Sequence, residues 1–537
     1  MFIVYCVTLT PNAEAKRLPI ESFAKQADMS STRLAPNGER LAFIARFKSS
    51  DKNGYVVSVL DIATNERKNY GFTDNSKFQY YGVDWLNDIT LRLRLEYPIQ
   101  RRNTLSFETR MFKLNVETGV MDSLVPENLF SQGGRWAPTY YGYIVDNLES
   151  DQDHFLFATT TSESKGNEVY LISIKGDKPV LVQKGINYYH SWMTDQQSRV
   201  RLAESSNVRE RNRIVVRDVD GNSFRTLWEF DADSNDEVVP MGFDFDPNVL
   251  YFSAKLDNRW VIYKADITDE KLTRTLVYDN PNDDVLGGIR YSRLGKRAIG
   301  VYKGAGQGFI FWDEEYKKLN RTLSKALPDL ENNFYDFSRN EQQLLVYSSS
   351  DIESGSYYVW NRDTKRVELL AFRYKDLAPD QMSKQTYSSF TARDGVERPV
   401  TYTFPKNVQD SKPTIITLTR EPDYVFYKSF SKRAQFLANR GYNVAQINLR
   451  DPKDKGEEYR ESGIVGWGTD SIKDVVDLAK ELSRSKAVNP DNICILGERY
   501  GAIIALVAAA SDEFTFKCVV SIGGITDLRD FVRFKRK

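Results

Sequence analysis

The residues best placed to do chemistry lie near the end of this 537-residue chain, in Gly497-Glu498-Arg499-Tyr500-Gly501. Two glycines frame a tight corner, and small residues there let the chain bend sharply enough to push the central side chain outward. A serine at the centre would be a nucleophile for acyl transfer. Arg499 is not one, because a guanidinium stays protonated and has no lone pair to offer a carbonyl carbon. The stretch reads as a corner built to present a nucleophile, with a cation in its place.

The flanking residues say what must hold that corner. Asn492-Ile493-Cys494-Ile495-Leu496 predicts a buried parallel strand, and the Ala/Ile/Leu run from Gly501 to Ala510 predicts a helix packed closely on it. Upstream, Tyr387–Ala392 and Arg398–Phe404 predict a hairpin across Arg393-Asp394-Gly395, and strands then alternate with helices. Pro413–Leu418, Asn443–Leu449 and Phe516–Ile522 read as strands, while Ser429–Arg440 and Ser471–Ser485 read as helices. That order implies a mostly parallel sheet covered on both faces. Asp474 and Asp477, three apart on one helix, are expected on a solvated face rather than at a metal.

Before a boundary near Leu377-Ala378-Pro379-Asp380 the pattern is different. A polar turn followed by an apolar strand recurs at Ala35–Ile44, Asp84–Ile89, Asp151–Phe157, Thr194–Val200, Asp244–Phe252, Tyr291–Ile299 and Phe337–Tyr347. The spacing is about 45 to 50 residues, the length of a propeller blade, so these copies predict seven blades. One interval is longer and holds Tyr97–Asn103, read as an extended loop at a blade tip. The expected organisation is a signal peptide over residues 1–15, a β-propeller over 16–380 and an incomplete α/β-hydrolase domain over 381–537.

Composition narrows the function classes. Lys+Arg and Asp+Glu are both 74, so no global charge draws the chain to nucleic acid or an anionic membrane. Only two histidines occur, His154 and His190, which leaves little for a His-based metal centre, and neither metal nor cofactor is expected. The short apolar run Met1–Leu9 ahead of Ala13-Glu14-Ala15 reads as a secretory signal, which would place the protein in the periplasm or outside the cell; read instead as an N-terminal strand, it would leave the protein in the cytoplasm. No other segment is long and apolar enough to span a bilayer. Cys494 and Cys518 fall on consecutive strands and are expected to be free thiols.

The spacing Gly497-x-x-x-Gly501 is that of the nucleophile elbow of α/β-hydrolases, and a propeller followed by this alternation resembles the prolyl oligopeptidase family of serine peptidases. The resemblance covers nearly the whole chain. It is carried by Phe436–Val444, Asn448-Leu449-Arg450 with Gly456, Gly466-Trp467-Gly468, Asp474 and Asp477, Pro490–Ile493, the elbow, and Asp527-Leu528. The resemblance implies three losses. The nucleophile position is Arg499; the turn that shapes the family's oxyanion pocket reads Thr419-Arg420-Glu421-Pro422; and no histidine follows His190 to act as base in a chain ending at Lys537. Tyr500, whose backbone N–H would serve the oxyanion, is left without one.

These features imply a peptidase homologue without catalysis that binds peptides between its two domains. Two alternatives stay open: an interaction module based on the propeller, or a shortened product of a peptidase gene. Arg499 and Arg420 are expected near the elbow, beside Glu421 and Glu498, which would form internal salt bridges with them.

Overall fold

The computed structural model describes residues 17–537 except 102–103, 127–128, 130–141, 161–165, 206–210, 232–233, 282–283, 286, 304–307, 407–410, 421–425, 428, 451–467, 526, 528, 530–532 and 534–537. The signal-like segment, Glu421, Pro422, Gly456, Gly466 and Trp467 therefore lie outside the described residues. No helix among the described residues is long and apolar enough to cross a membrane. The chain divides into two compact units: residues 26–348 with Ser356–Arg373, and residues before 26 with Ser349–Gly355 and residues from Tyr374 onward.

The first unit is a seven-bladed β-propeller. Its antiparallel sheets lie within residues 29–73, 79–123, 143–183, 189–230, 238–278, 289–311 and 331–372. Six are four-stranded. The sixth blade has three strands and then the helix Glu314–Ala326, whose N-terminal amides at Glu315 and Tyr316 donate to Asp313 Oδ1. Tyr316 and Leu323 of that helix pack beside Phe334 and Phe337 of the seventh blade. Every one of the seven sequence turns falls on the first hairpin of a blade.

Those turns also join the blades. Asn37 N–H donates to Asp88 Oδ1 at 2.9 Å, Asn87 Nδ2 to Gln152 O at 2.9 Å, and Thr194 Oγ1 to Asp146 Oδ2 at 2.8 Å. Gln196 Nε2 donates to Phe243 O, Ala298 N–H to Asp244 Oδ1, and Arg293 N–H to Glu341 Oε1. The ring closes where Arg339 N–H donates to Pro36 O at 2.6 Å. Gly38 makes that closure possible: at φ +81° its missing Cβ would stand 3.0 Å from Ser338 and Gln343 of the seventh blade.

Tyr97–Arg101 is not a loop. It extends the strand Thr90–Arg101, which pairs with Thr104–Asn115 as far as Arg101 opposite Thr104. The first strand of the blade stops pairing at Glu96, so Pro98 sits where that side of the ladder has no partner and its missing N–H costs no bond.

The second unit is built on a six-stranded sheet. Its order is Gln385–Thr391, Glu397–Thr403, Asn443–Ile447, Lys412–Leu418, Val488–Glu498 and Cys518–Ile522. The first two pairings are antiparallel and the other three parallel. Asn443–Ile447 is buried throughout. Ala445 and Ile447 join a core with Val475, Leu478, Ile495 and Ile504, while Val444 and Gln446 point to the other pleat face. Helix Lys432–Asn439 packs against the N-terminal helix Ile20–Ala24, with Phe23 and Phe436 edge to face at 5.5 Å.

The free-thiol reading fails. Cys494 and Cys518 are direct cross-strand partners, their Cα atoms 4.7 Å apart, and they form a disulfide. Cysteines on neighbouring strands meet only when the register sets them opposite each other, and here it does.

Candidate functional site

The elbow is preserved as backbone. The strand Val488–Glu498 ends at a corner where Arg499 adopts φ +50° and ψ −111°, and the helix Tyr500–Ala510 starts immediately after it. That conformation is strained for a residue with a side chain, by about 1–3 kcal/mol. Both glycines are required by contact. A Cβ on Gly497 would stand 2.1 Å from Gly501 O, and one on Gly501 would stand 2.3 Å from Thr419 O. Arg499 N–H donates to Ile522 O at 2.9 Å, which ties the corner to the last strand.

The oxyanion side is occupied by the protein itself. Tyr500 N–H donates to the carbonyl of Arg420 at 3.1 Å. The amide expected to point at a developing oxyanion therefore already has an acceptor, which sequence reasoning had left unfilled. Thr419 is fully buried, and its carbonyl is the atom pressed against Gly501.

Charge at the corner is arranged around Glu498. Arg433 Nη2 lies 2.7 Å from Glu498 Oε2, and Arg420 Nε lies 3.9 Å from Oε1. The hydrogen bond from Arg433, aided by the charges of Arg420 and Arg499, holds the Glu498 carboxyl below its ordinary value against the opposing effect of burial. Arg499 is also the cap of the helix Tyr500–Ala510, where a positive side chain opposes the helix dipole and Glu498 offsets it. Arg499 at the centre of the corner offers a cation that can attract an anion, where a nucleophilic side chain would offer a lone pair.

Asp474 and Asp477 do not form a solvated face. Asp474 is 2% exposed and accepts two hydrogen bonds from Arg450, Nε to Oδ2 at 2.8 Å and Nη2 to Oδ1 at 2.6 Å. Arg398, 1% exposed, places its Nε 3.2 Å from Asp474 Oδ2. Arg450 Nη2 also reaches Asp394 Oδ2 at 2.7 Å. Asp477 accepts from Arg393 N–H at 2.9 Å and from its guanidinium at 2.7 Å. The two aspartates thus clamp the hairpin tip Arg393-Asp394-Gly395 to the helix Asp470–Leu482. Spacing alone had hidden this, although the Arg393-Asp394 pair at the turn was the available signal.

The comparisons agree with this architecture. Residues 428–536 match the sequence profile of the prolyl oligopeptidase family. Dipeptidyl aminopeptidase BIII of Pseudoxanthomonas mexicana is 22% identical over 443 residues, 78% of this chain and 60% of that protein. Dipeptidyl peptidase family member 6 of Caenorhabditis elegans is 28% identical over 213 residues, 35% of this chain and 28% of that protein. The chain thus spans less than two thirds of the length of these relatives. Among solved structures, a puromycin-hydrolyzing peptidase of Mycobacterium tuberculosis superposes with a TM-score of 0.67 at 16% identity, covering 98% of this chain and 82% of that one. Prolyl oligopeptidase B from Galerina marginata gives 0.66 at 13% identity, covering 96% and 74%. With the propeller, the hydrolase-like sheet and the elbow in place, the chain is a homologue of the prolyl oligopeptidase family of serine peptidases.

Proposed function

We propose that this chain is a peptidase homologue whose elbow is catalytically silent and whose remaining role is binding, with peptides as the ligand class. One observation carries the reading: Arg499 stands at the strained position of the corner while the neighbouring Tyr500 N–H is bound to Arg420 O. A silent elbow needs both, since a serine restored to the corner would still lack the donor that stabilises a tetrahedral intermediate. The names of the relatives support a peptidic ligand, because each is a peptidase. The disulfide Cys494–Cys518 supports an oxidising compartment, so we place the protein in the periplasm or outside the cell. The full chain should resist labelling by a fluorophosphonate probe, and Arg499→Ser should release no detectable product from an aminoacyl anilide. Single-site labelling of the unmodified chain, or turnover by the serine variant, would overturn the reading.

A further inference from the structure

The propeller holds a cavity of about 510 Å³ that is lined by first hairpin turns and reaches Tyr302 and Phe309, which flank the second hairpin of the sixth blade. Pro36, Leu86, Gln152, Arg293 and Arg339 come from those turns in five different blades. Four guanidiniums line it, and three have a carboxylate within ion-pair distance. Arg33 lies 3.7 Å from Asp84, Arg293 lies 3.1 Å from Asp336 and 3.7 Å from Glu149, and Arg339 lies 3.7 Å from Asp88.

Arg290 is the fourth and has no such partner among the described residues. Its guanidinium carbon sits 4.4 Å from the ring centroid of Phe337 and 5.5 Å from that of Phe309. Its Nε is buried without a hydrogen-bond acceptor. Asp336, the carboxylate whose charge acts most on Arg290, is already held by Arg293 and by Leu34 N–H at 3.1 Å. An arginine charge placed against aromatic rings in a cavity, with the neighbouring carboxylates engaged by other arginines, is left without a carboxylate of its own.

The geometry points to a binding site in which Arg290 receives a monocarboxylate end-on through its two terminal nitrogens, with the apolar body of the ligand against Tyr302, Phe309 and Tyr347. A planar carboxylate matches the guanidinium fork, whose face is covered by Phe337. The carboxylates already at the cavity disfavour a dianion such as phosphate, and the aromatic wall favours a ligand with an apolar side chain over acetate. The volume suits an aromatic acid or the C-terminal residues of a peptide, which share this chemistry. The site lies wholly within the propeller unit, so it stands or falls separately from the silent elbow.

Calorimetry on the full chain tests it, with N-acetyl-phenylalanine, its amide, an N-acetylated tripeptide ending in phenylalanine, and inorganic phosphate as probes. The free acids bind, and the amide and phosphate bind at least about 10-fold more weakly. Arg290→Met weakens the acids by about 10- to 100-fold. Its thermal midpoint without ligand is not lowered, because an unpaired charge has been removed; an arginine kept only for packing on Phe337 would lower it. Arg290→Lys, which keeps the charge and loses the fork, weakens the acids too and serves if the methionine variant does not fold. Tighter binding of the tripeptide than of N-acetyl-phenylalanine assigns a peptide terminus, and the reverse assigns a small acid; both support the site. Equal affinity for acid and amide, preference for phosphate, full binding by both variants, or no binding of any probe overturns the proposal.

Discussion

In the propeller every blade's first turn is tied to the next, and the last bond returns from Arg339 to Pro36, so cohesion is spread around a ring. The hydrolase-like unit has no such closure among its described residues. Among the described residues its outermost parallel strand is Cys518–Ile522, where Val520 is 42% and Ile522 43% exposed, and besides its apolar core it is tied by the Asp474 clamp and the Cys494–Cys518 staple. A ring of similar small contacts loses little when one is removed. A unit tied by a buried charge clamp or a covalent staple should lose much when one is broken, and an exposed apolar strand is the place where an open sheet unfolds first.

The sharpest way to break this comparison is Asp474→Asn. The change leaves Arg398 and Arg450 buried beside a neutral group, which should cost the hydrolase-like unit about 3–5 kcal/mol and leave the propeller transition in place. Denaturant unfolding followed by pulse-labelled exchange separates the two transitions. A uniform shift of both would show that the clamp is not local to one unit.

Reduction of the disulfide, or replacement of both cysteines by serine, should destabilise the same unit by about 3 kcal/mol, given a sequence separation of 24 residues. Indifference of the unfolding midpoint to dithiothreitol would contradict this. Hydrogen exchange in the unmodified chain should then show weaker protection across Phe516–Ile522 than across Leu344–Tyr347, a strand of the seventh blade in which Leu344, Leu345 and Val346 are fully buried. The opposite order would dissolve the contrast between ring and open sheet.

The smallest effect is in acid. Hydrogen bonds from Arg393 and then Lys480 hold the Glu513 carboxyl down to about 2. A depressed carboxyl contributes stability that is present above its ordinary value near 4.5 and is lost as pH falls toward about 2. Glu513 is exposed, so solvent screens most of the benefit. Glu513→Gln should slightly lower the stability of the hydrolase-like unit at neutral pH, make no difference near pH 2, and lose its effect in high salt. A variant that tracks the parent chain across that whole range would show that the Arg393 pairing to Glu513 contributes nothing.

Local chemistry was legible in the chain itself. The seven turns could be found because Asp, Asn, Gly and Pro specify a bend from a few neighbouring residues, and repetition turned seven weak signals into a propeller. The elbow was legible for the same reason: Gly497 and Gly501 answer to contacts made within five residues and one adjacent strand. The loop assigned to Tyr97–Asn103 was misread over Tyr97–Arg101 because Pro98 looks like a strand breaker until the missing neighbour beyond Glu96 is known.

What only the tertiary structure decided depends on which side chains are brought face to face. Cys494 meets Cys518 because the register of two parallel strands pairs them, and no local rule states that register. Asp474 is buried rather than solvated because Arg398 and Arg450, on other elements, supply the charge that burial requires, whereas helical spacing is the same for either fate. Arg290 and Phe309 meet at the cavity, with Phe337 buried against the guanidinium, because the strands of the sixth blade fold beside the first strand of the seventh. A charge without a carboxylate cannot be recognised in a sequence of balanced net charge, because its isolation is a property of distances across the ring.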